Sequence, residues 1–205
     1  LDPFVILRYV KEIVSNGMVP AQDVMRYYPI GFNPQNEFSV LSNFIAYLYK
    51  ILVIFFPNIQ VETVHVLYPA IAFFIGIIFF FLVVKRLFNV KTAIVASIML
   101  TVVPSFLYRT VAGFSDKEAF SMMMLFIGMY FFIAAWQSKY KWNALFLGIL
   151  SGIITGINGL VWGGVGFVYF IFGIFAILLI LIDKFSITDL YAYVGWFIPT
   201  IYIAT

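Results

Sequence analysis

Apolar residues in this chain come in long blocks rather than in alternation, and the blocks have the length of membrane spans. A helix crosses a bilayer with roughly 20 predominantly apolar residues, within a range of about 17–25. Val64 to Val84, Thr92 to Tyr108 and Ala119 to Trp136 meet or approach that length, and the charge-free run from Ala144 to Ile182 is long enough for two spans. That run is expected to divide around "NGLVWGG", with Asn158-Gly159 and Gly163-Gly164 as turn chemistry. A last apolar segment starts at Leu190 and runs to the C-terminus, which therefore reads as cut.

Two helices of another kind are expected ahead of the first span. "DPFVILRYVKEIV" has Asp2 as a helix N-cap and Pro3 at the first helical position. Between Phe38 and Phe56, the residues Leu41, Phe44, Ile45, Leu48, Ile51, Leu52 and Phe55 form one stripe, and Ser42, Asn43, Ala46 and Lys50 form the opposite one. That period suits a helix lying in the membrane interface. The chain thus divides into an external loop with interfacial helices, residues 1–63, and a transmembrane bundle of about five spans, residues 64–205. It opens at Leu1 on a polar stretch without a signal-peptide pattern, so an earlier span is expected to precede it.

Charge gives the orientation. Lys85, Arg86 and Lys91, then Lys139 and Lys141, then Lys184 fall in alternate loops, which the positive-inside rule makes cytoplasmic. The remaining loops face out and hold Asp2, Glu12, Asp23, Glu37, Glu62, Asp116 and Glu118, with only Asp183 and Asp189 breaking the segregation.

With 64% hydrophobic and 10% charged residues, the chain has too little polar surface to cover a soluble globule, and it reads as an integral membrane protein. It has no cysteine and a single histidine, His65, which excludes thiolate and multi-histidine metal sites. A metal would have to be held by carboxylates, which points to a hard divalent ion, Mg2+ or Mn2+. The net charge of +3 gives no support to nucleic-acid binding. Phosphate-binding glycine loops, H-E-x-x-H and G-x-S-x-G are absent from the sequence.

The stretch "YRTVAGFSDKEAF", Tyr108 to Phe120, concentrates Arg109, Asp116, Lys117 and Glu118 at one external mouth. Ionisable groups this close to a membrane are costly and tend to mark function. Two carboxylates two residues apart can ligate a hard cation, and an arginine beside them can bind phosphate. The same residues also form a capping box, with Ser115 as N-cap and Glu118 reaching back from the third helical position. The two readings stay open together, because the box does not use Asp116. Asp2 has the same duality between cap and ligand. Gly148, Gly152 and Gly156 recur every four residues and predict a close helix contact. Trp162 reads as packing, and His65 as an interfacial polar residue.

Three stretches together resemble one family. "DPFVILRYVKEIVSNGMVPAQDVMRYYPIGF" is similar to the first external loop of oligosaccharyltransferase catalytic subunits, "SFLYRTVAGFSDKEAF" to their second, with its D-x-D or D-x-E motif, and "NGLVWGGVGF" to their Trp-Gly-Gly segment. In composition the chain resembles archaeal versions. The resemblance implies an all-α, multi-span bundle of the type C glycosyltransferase class with a long external first loop. It implies transfer of an oligosaccharide from a polyprenyl (pyro)phosphate carrier to the asparagine of Asn-X-Ser/Thr, at the extracytoplasmic face of the cell membrane. By motif position Asp2, Asp116 and Glu118 would hold Mn2+ or Mg2+, Asp2 would face the acceptor amide, and Arg109 would sit beside the site. Partners would be the lipid-linked donor, the acceptor polypeptide, the membrane and other membrane subunits.

Two family features are missing from these 205 residues: the glutamate of a later external loop, and the domain carrying Trp-Trp-Asp-Tyr-Gly. The segment alone is therefore expected to be inactive. Its rivals are a glycosyltransferase of the same fold class acting on hydroxyls or lipid, a transporter, and a non-catalytic membrane subunit. A transporter should carry ionisable groups near mid-membrane, whereas here nearly all lie in loops.

Overall fold

The computed structural model describes residues 2–34 and 39–204, with the Asp2 side chain outside that description, as are Glu37 and Phe38. The described residues fold into α1 (Asp2–Asn16), α2 (Ser39–Phe55), α3 (Val61–Leu87), α4 (Val90–Val102), α5 (Pro104–Thr110), α6 (Lys117–Trp136), α7 (Lys141–Val161), α8 (Gly166–Leu181) and α9 (Ile187–Ala204). An isolated antiparallel bridge joins Asp23 to Phe32. Among the described residues, four helical segments are long and apolar enough to cross a membrane: Val61–Leu87, Lys117–Trp136, Lys141–Val161 and Gly163–Leu181. Counting Val90–Val102 with Pro104–Thr110 as one broken span makes five. The break falls at Val103, whose extended backbone (φ −67°, ψ 117°) is the conformation a residue before proline prefers.

The division of the long apolar run differs from the expected one. Asn158 and Gly159 are not a turn but lie inside α7, which ends at Trp162, where the backbone is extended. Asn158 is buried, and its side-chain amide donates to the Ser121 carbonyl at 3.1 Å. That hydrogen bond gives the amide nitrogen a partner inside the protein, while Oδ1 of the same side chain is buried with none. The turn belongs to the second glycine pair. At Gly164 a Cβ would lie 2.3 Å from the Trp162 indole, so the backbone folds directly against that ring.

The chain forms two compact units, Leu1–Phe73 with Pro104–Phe120, and Phe74–Val103 with Ser121–Thr205. In the first, α1 and α2 pack together, and Ile6, Tyr9 and Val10 of α1 and Leu41 and Ile45 of α2 are all 3% exposed or less. The buried face of α2 is Leu41, Ser42, Ile45 and Ala46, while Tyr47, Ile51, Ile54 and Phe55 stay exposed. The buried face thus takes Leu41 and Ile45 from the apolar stripe and the small residues Ser42 and Ala46 from the opposite one, and those small side chains allow close packing. Phe44 meets Phe120 edge-on with centroids 4.9 Å apart.

Between α1 and α2 the loop is anchored at Asp23. Its carboxylate pairs with the Arg8 guanidinium, and accepts the Tyr9 hydroxyl at 2.7 Å and the Met25 N–H at 3.0 Å. Its backbone exchanges two hydrogen bonds with Phe32. Burial alone would raise the pKa of this carboxyl, but the Tyr9 and Met25 bonds and the Arg8 charge outweigh it and hold the group below its ordinary value. A carboxyl with a depressed folded pKa stabilises above its unfolded pKa and loses that contribution as pH falls through the folded one. The thermal midpoint should therefore drop on acidification below about pH 4, and the Asp23→Asn variant should show a smaller drop. Identical pH profiles for the two proteins would refute this.

In the second unit Phe132 stacks on Phe172 with centroids 3.7 Å apart, and Trp196 meets both rings edge-on at 5.7 and 5.1 Å. α7 and α9 touch backbone to backbone. A Cβ on Gly148 would lie 2.5 Å from the Ala192 carbonyl oxygen, one on Gly152 2.3 Å from that of Trp196, and one on Gly195 2.7 Å from that of Leu145. The four-residue glycine spacing is thus the close contact it predicts. The hydroxyl of Thr200 donates to the Gly152 carbonyl at 3.2 Å, and the Trp196 indole N–H to the Thr155 hydroxyl at 3.3 Å.

Asp189, a stray acid in the charge pattern, has a local explanation. Ser186 precedes the first residue of α9, and its hydroxyl accepts the Asp189 N–H at 3.2 Å. The Asp189 carboxylate accepts the Ser186 N–H at 2.8 Å and its hydroxyl at 2.7 Å. This reciprocal pair closes a capping box and satisfies backbone donors that the start of a helix leaves open.

Candidate active site

The acidic stretch between α5 and α6 does not cap itself as its spacing suggests. α6 starts at Lys117, one residue too late for Ser115 to be its N-cap. The Ser115 hydroxyl donates instead to the main-chain carbonyl of His65 in α3. Asp116 takes the cap position, its Oδ1 accepting the Lys117 N–H at 2.7 Å. Glu118, freed from the box, pairs with Arg109, Nη1 to Oε1 3.2 Å. The expected Ser115 capping box is therefore absent, because a tertiary acceptor in α3 competes for its hydroxyl.

Three hydrogen bonds lay this loop on the first turns of α3. Besides the Ser115 bond, the Gly113 N–H donates to the Val66 carbonyl at 2.9 Å, and the buried Tyr68 hydroxyl donates to the Asp116 carbonyl. Gly113 has φ +92°, a left-handed conformation that favours glycine. Asp116 is consequently 9% exposed and fixed from both sides.

Of the residues singled out in the sequence, Arg109, Asp116 and Glu118 come together. The Arg109 guanidinium is half exposed, lies over the Phe114 ring at 5.4 Å and leans on Glu118. The second Glu118 oxygen, Oε2, is buried with no hydrogen-bond partner. A buried, unpartnered carboxylate oxygen is costly unless a cation or donor completes it. Among the described residues there is no group of three or more His, Cys, Asp and Glu side chains placed to hold a metal ion. Asp2, the third carboxylate of the expected set, has its side chain outside the described residues; its backbone opens α1.

His65 is more than the interfacial residue its position suggests. It is 5% exposed, and its main-chain carbonyl accepts the Ser115 hydroxyl, so it holds a neighbour of Asp116. No local pattern in the sequence announces this role, since the contact lies 50 residues along the chain.

Helices of membrane-spanning length define an integral membrane protein, and an acidic pair and an arginine gather where α5 ends and α6 begins. The chain belongs to the STT3 oligosaccharyl transferase family: the model described as "Oligosaccharyl transferase STT3, N-terminal" matches residues 1–205. It is 25% identical over 186 residues, 83% of its length, to a dolichyl-phosphooligosaccharide-protein glycotransferase of Methanococcus voltae. The chain spans 20% of the length of the curated relatives it matches. Its fold is that of the Archaeoglobus fulgidus oligosaccharyltransferase AglB, solved in complex with an inhibitory peptide and a dolichol-phosphate. That similarity has a TM-score of 0.81 at 20% identity, over 98% of this chain and 25% of AglB. A structure of the A. fulgidus enzyme with zinc and sulfate gives a TM-score of 0.80 at 20% identity, over 98% of this chain and 26% of that one.

Proposed function

We propose that this protein transfers an oligosaccharide from a polyprenyl (pyro)phosphate carrier to the side-chain amide of asparagine in Asn-X-Ser/Thr, at the extracytoplasmic face of the cell membrane. The observation that carries this reading is the match of the whole chain to the family model. The gathering of Arg109, Asp116 and Glu118 in one loop supports it. Asp2, Asp116 and Glu118 would hold Mn2+ or Mg2+. The unpartnered Glu118 Oε2 supports such a ligand set, and hard carboxylate donors suit those ions. The relative solved with zinc and sulfate supports a divalent ion and an anion as ligands of this fold. A divalent ion, when bound, supplies Lewis-acid stabilisation of charge on the departing phosphate.

The chain's own residues would divide the remaining work. An amide nitrogen is a poor nucleophile, so it must be oriented. The Asp2 carboxylate would do this by accepting hydrogen bonds from the acceptor's NH2 group. The Arg109 guanidinium, half exposed and tethered by Glu118, would bind phosphate oxygens of the donor through charge-assisted hydrogen bonds. The chain spans 20% of the length of its curated relatives, so these residues would form only part of a site and the isolated segment would not catalyse transfer.

The test uses the native membrane protein with a lipid-linked oligosaccharide and a fluorescent Asn-X-Thr peptide. Transfer to the peptide should be lost on chelation, return with Mn2+ or Mg2+, and be absent with a Gln-X-Thr peptide. Transfer to hydroxyl acceptors but not to asparagine would overturn the proposed acceptor in favour of a hydroxyl-directed enzyme.

A further inference from the structure

The last turn of α3 carries Lys85 and Arg86, on the side of the membrane that the positive-inside rule makes cytoplasmic and away from every residue the proposed reaction uses. Leu82, Lys85 and Arg86 are spaced i, i+3, i+4 and so share one face of the helix. With Tyr130 of α6 they line a cavity of about 210 Å3, many times what a single water needs. Both cations are exposed, and among the described residues neither has a carboxylate partner. Arg86 is nevertheless held in place: its Nε donates to the Gln137 side-chain oxygen at 2.9 Å, and its guanidinium lies over the Tyr130 ring at 5.8 Å. Nη1 and Nη2 keep their donors free among the described residues, as a fixed fork beside the cavity. A basic pair that served only to orient the helix would need charge in the loop and no such fixing. Toward the middle of α3 the same face turns apolar. Phe79, one turn before Leu82, meets Tyr130 edge-on at 5.7 Å, and all three are only half-buried. A fixed cation thus stands at the end of an apolar track on a helix long enough to span the membrane.

We propose that this cavity binds the headgroup of an anionic membrane lipid: the Arg86 fork and the Lys85 ammonium take its phosphate oxygens, and one of its hydrocarbon chains lies along Phe79 and Leu82. Charge complementarity selects the occupant. Two cations without a counter-ion at a membrane surface attract an anionic lipid, whereas a zwitterionic one brings its own cation to the same place. The inference does not rest on the glycan-transfer reading, since none of these residues belongs to that site.

The experiment titrates the native membrane protein, delipidated in detergent, with phosphatidylglycerol or phosphatidylcholine and counts bound lipid by native mass spectrometry. Phosphatidylglycerol should bind about thirtyfold more tightly, the combined effect of two basic side chains near a membrane surface. The double variant Lys85→Gln, Arg86→Gln should abolish that preference. Lys141→Gln with Lys184→Gln, which removes the same charge from other loops, should keep it. Because Lys85 and Arg86 also help to orient the helix, Arg86→Lys is measured as well. It preserves the charge and should still weaken binding about fivefold, the equivalent of one hydrogen bond lost from the fork. Glycerol phosphate, a soluble headgroup without chains, should not displace the lipid. Equal losses in the two double variants, or full affinity in Arg86→Lys, would overturn the site in favour of diffuse surface charge. Displacement by glycerol phosphate would overturn the lipid as occupant in favour of a free phosphate ligand.

Discussion

Replacing Asp116 by asparagine is expected to reduce divalent-dependent glycan transfer by the native membrane protein about a thousandfold while leaving its thermal midpoint unchanged. The size follows from the chemistry: stabilising charge on a departing phosphate is worth several kcal/mol, and each 1.36 kcal/mol is roughly a factor of ten in rate. The choice of asparagine follows from the structure. Asp116 Oδ1 accepts the Lys117 N–H, and an amide oxygen can accept that bond equally well. Asparagine therefore keeps the cap and removes the anionic charge, which separates the two roles the sequence left open. Asp116→Ala should lose both, adding a stability loss of about 1 kcal/mol, typical of a removed N-cap. Activity of the asparagine variant within tenfold of the unsubstituted protein would show that Asp116 is a helix cap and not a metal ligand.

The largest stability effect should come from the glycine seam. A side chain at Gly152 meets the Trp196 carbonyl oxygen at 2.3 Å, and that oxygen belongs to backbone, which cannot rotate aside. The helices must separate, which also breaks the Thr200 bond to the Gly152 carbonyl. Gly152→Val should cost about 3 kcal/mol, at the upper end of typical overpacking. Gly173 in α8 is the control, because a Cβ there meets nothing nearer than the Tyr193 hydroxyl at 3.8 Å. Gly173→Ala should be neutral or slightly stabilising, since alanine is the better helix former. Thermal unfolding in detergent decides: equal midpoints for the two variants would mean that backbone contact across α7 and α9 contributes little.

Capping shows how far local pattern reaches. Ser115 to Glu118 and Ser186 to Asp189 have the same S-x-x-acid form. Only the second closes a box, because no competing acceptor takes the Ser186 hydroxyl from Asp189. At Ser115 the His65 carbonyl wins, and Glu118 is released to Arg109. The four-residue glycine spacing, by contrast, was legible in advance, since it requires only that two helices meet. The inward face of α2 was not, because the choice between its apolar stripe and the side holding Ser42 and Ala46 depends on what packs against it.

By itself the sequence determined that this is an all-helical membrane protein, where its long apolar segments fall, and which charged residues lie between them. Each of these follows from hydrophobic block length or from charged residues confined between blocks, and such properties need no partner. Tertiary structure alone decided that Asp116 caps α6, that Glu118 pairs with Arg109, and that the Ser115 hydroxyl goes to the His65 carbonyl in α3. Those outcomes turn on which of several acceptors a hydroxyl meets, and the acceptor that wins lies fifty residues away along the chain.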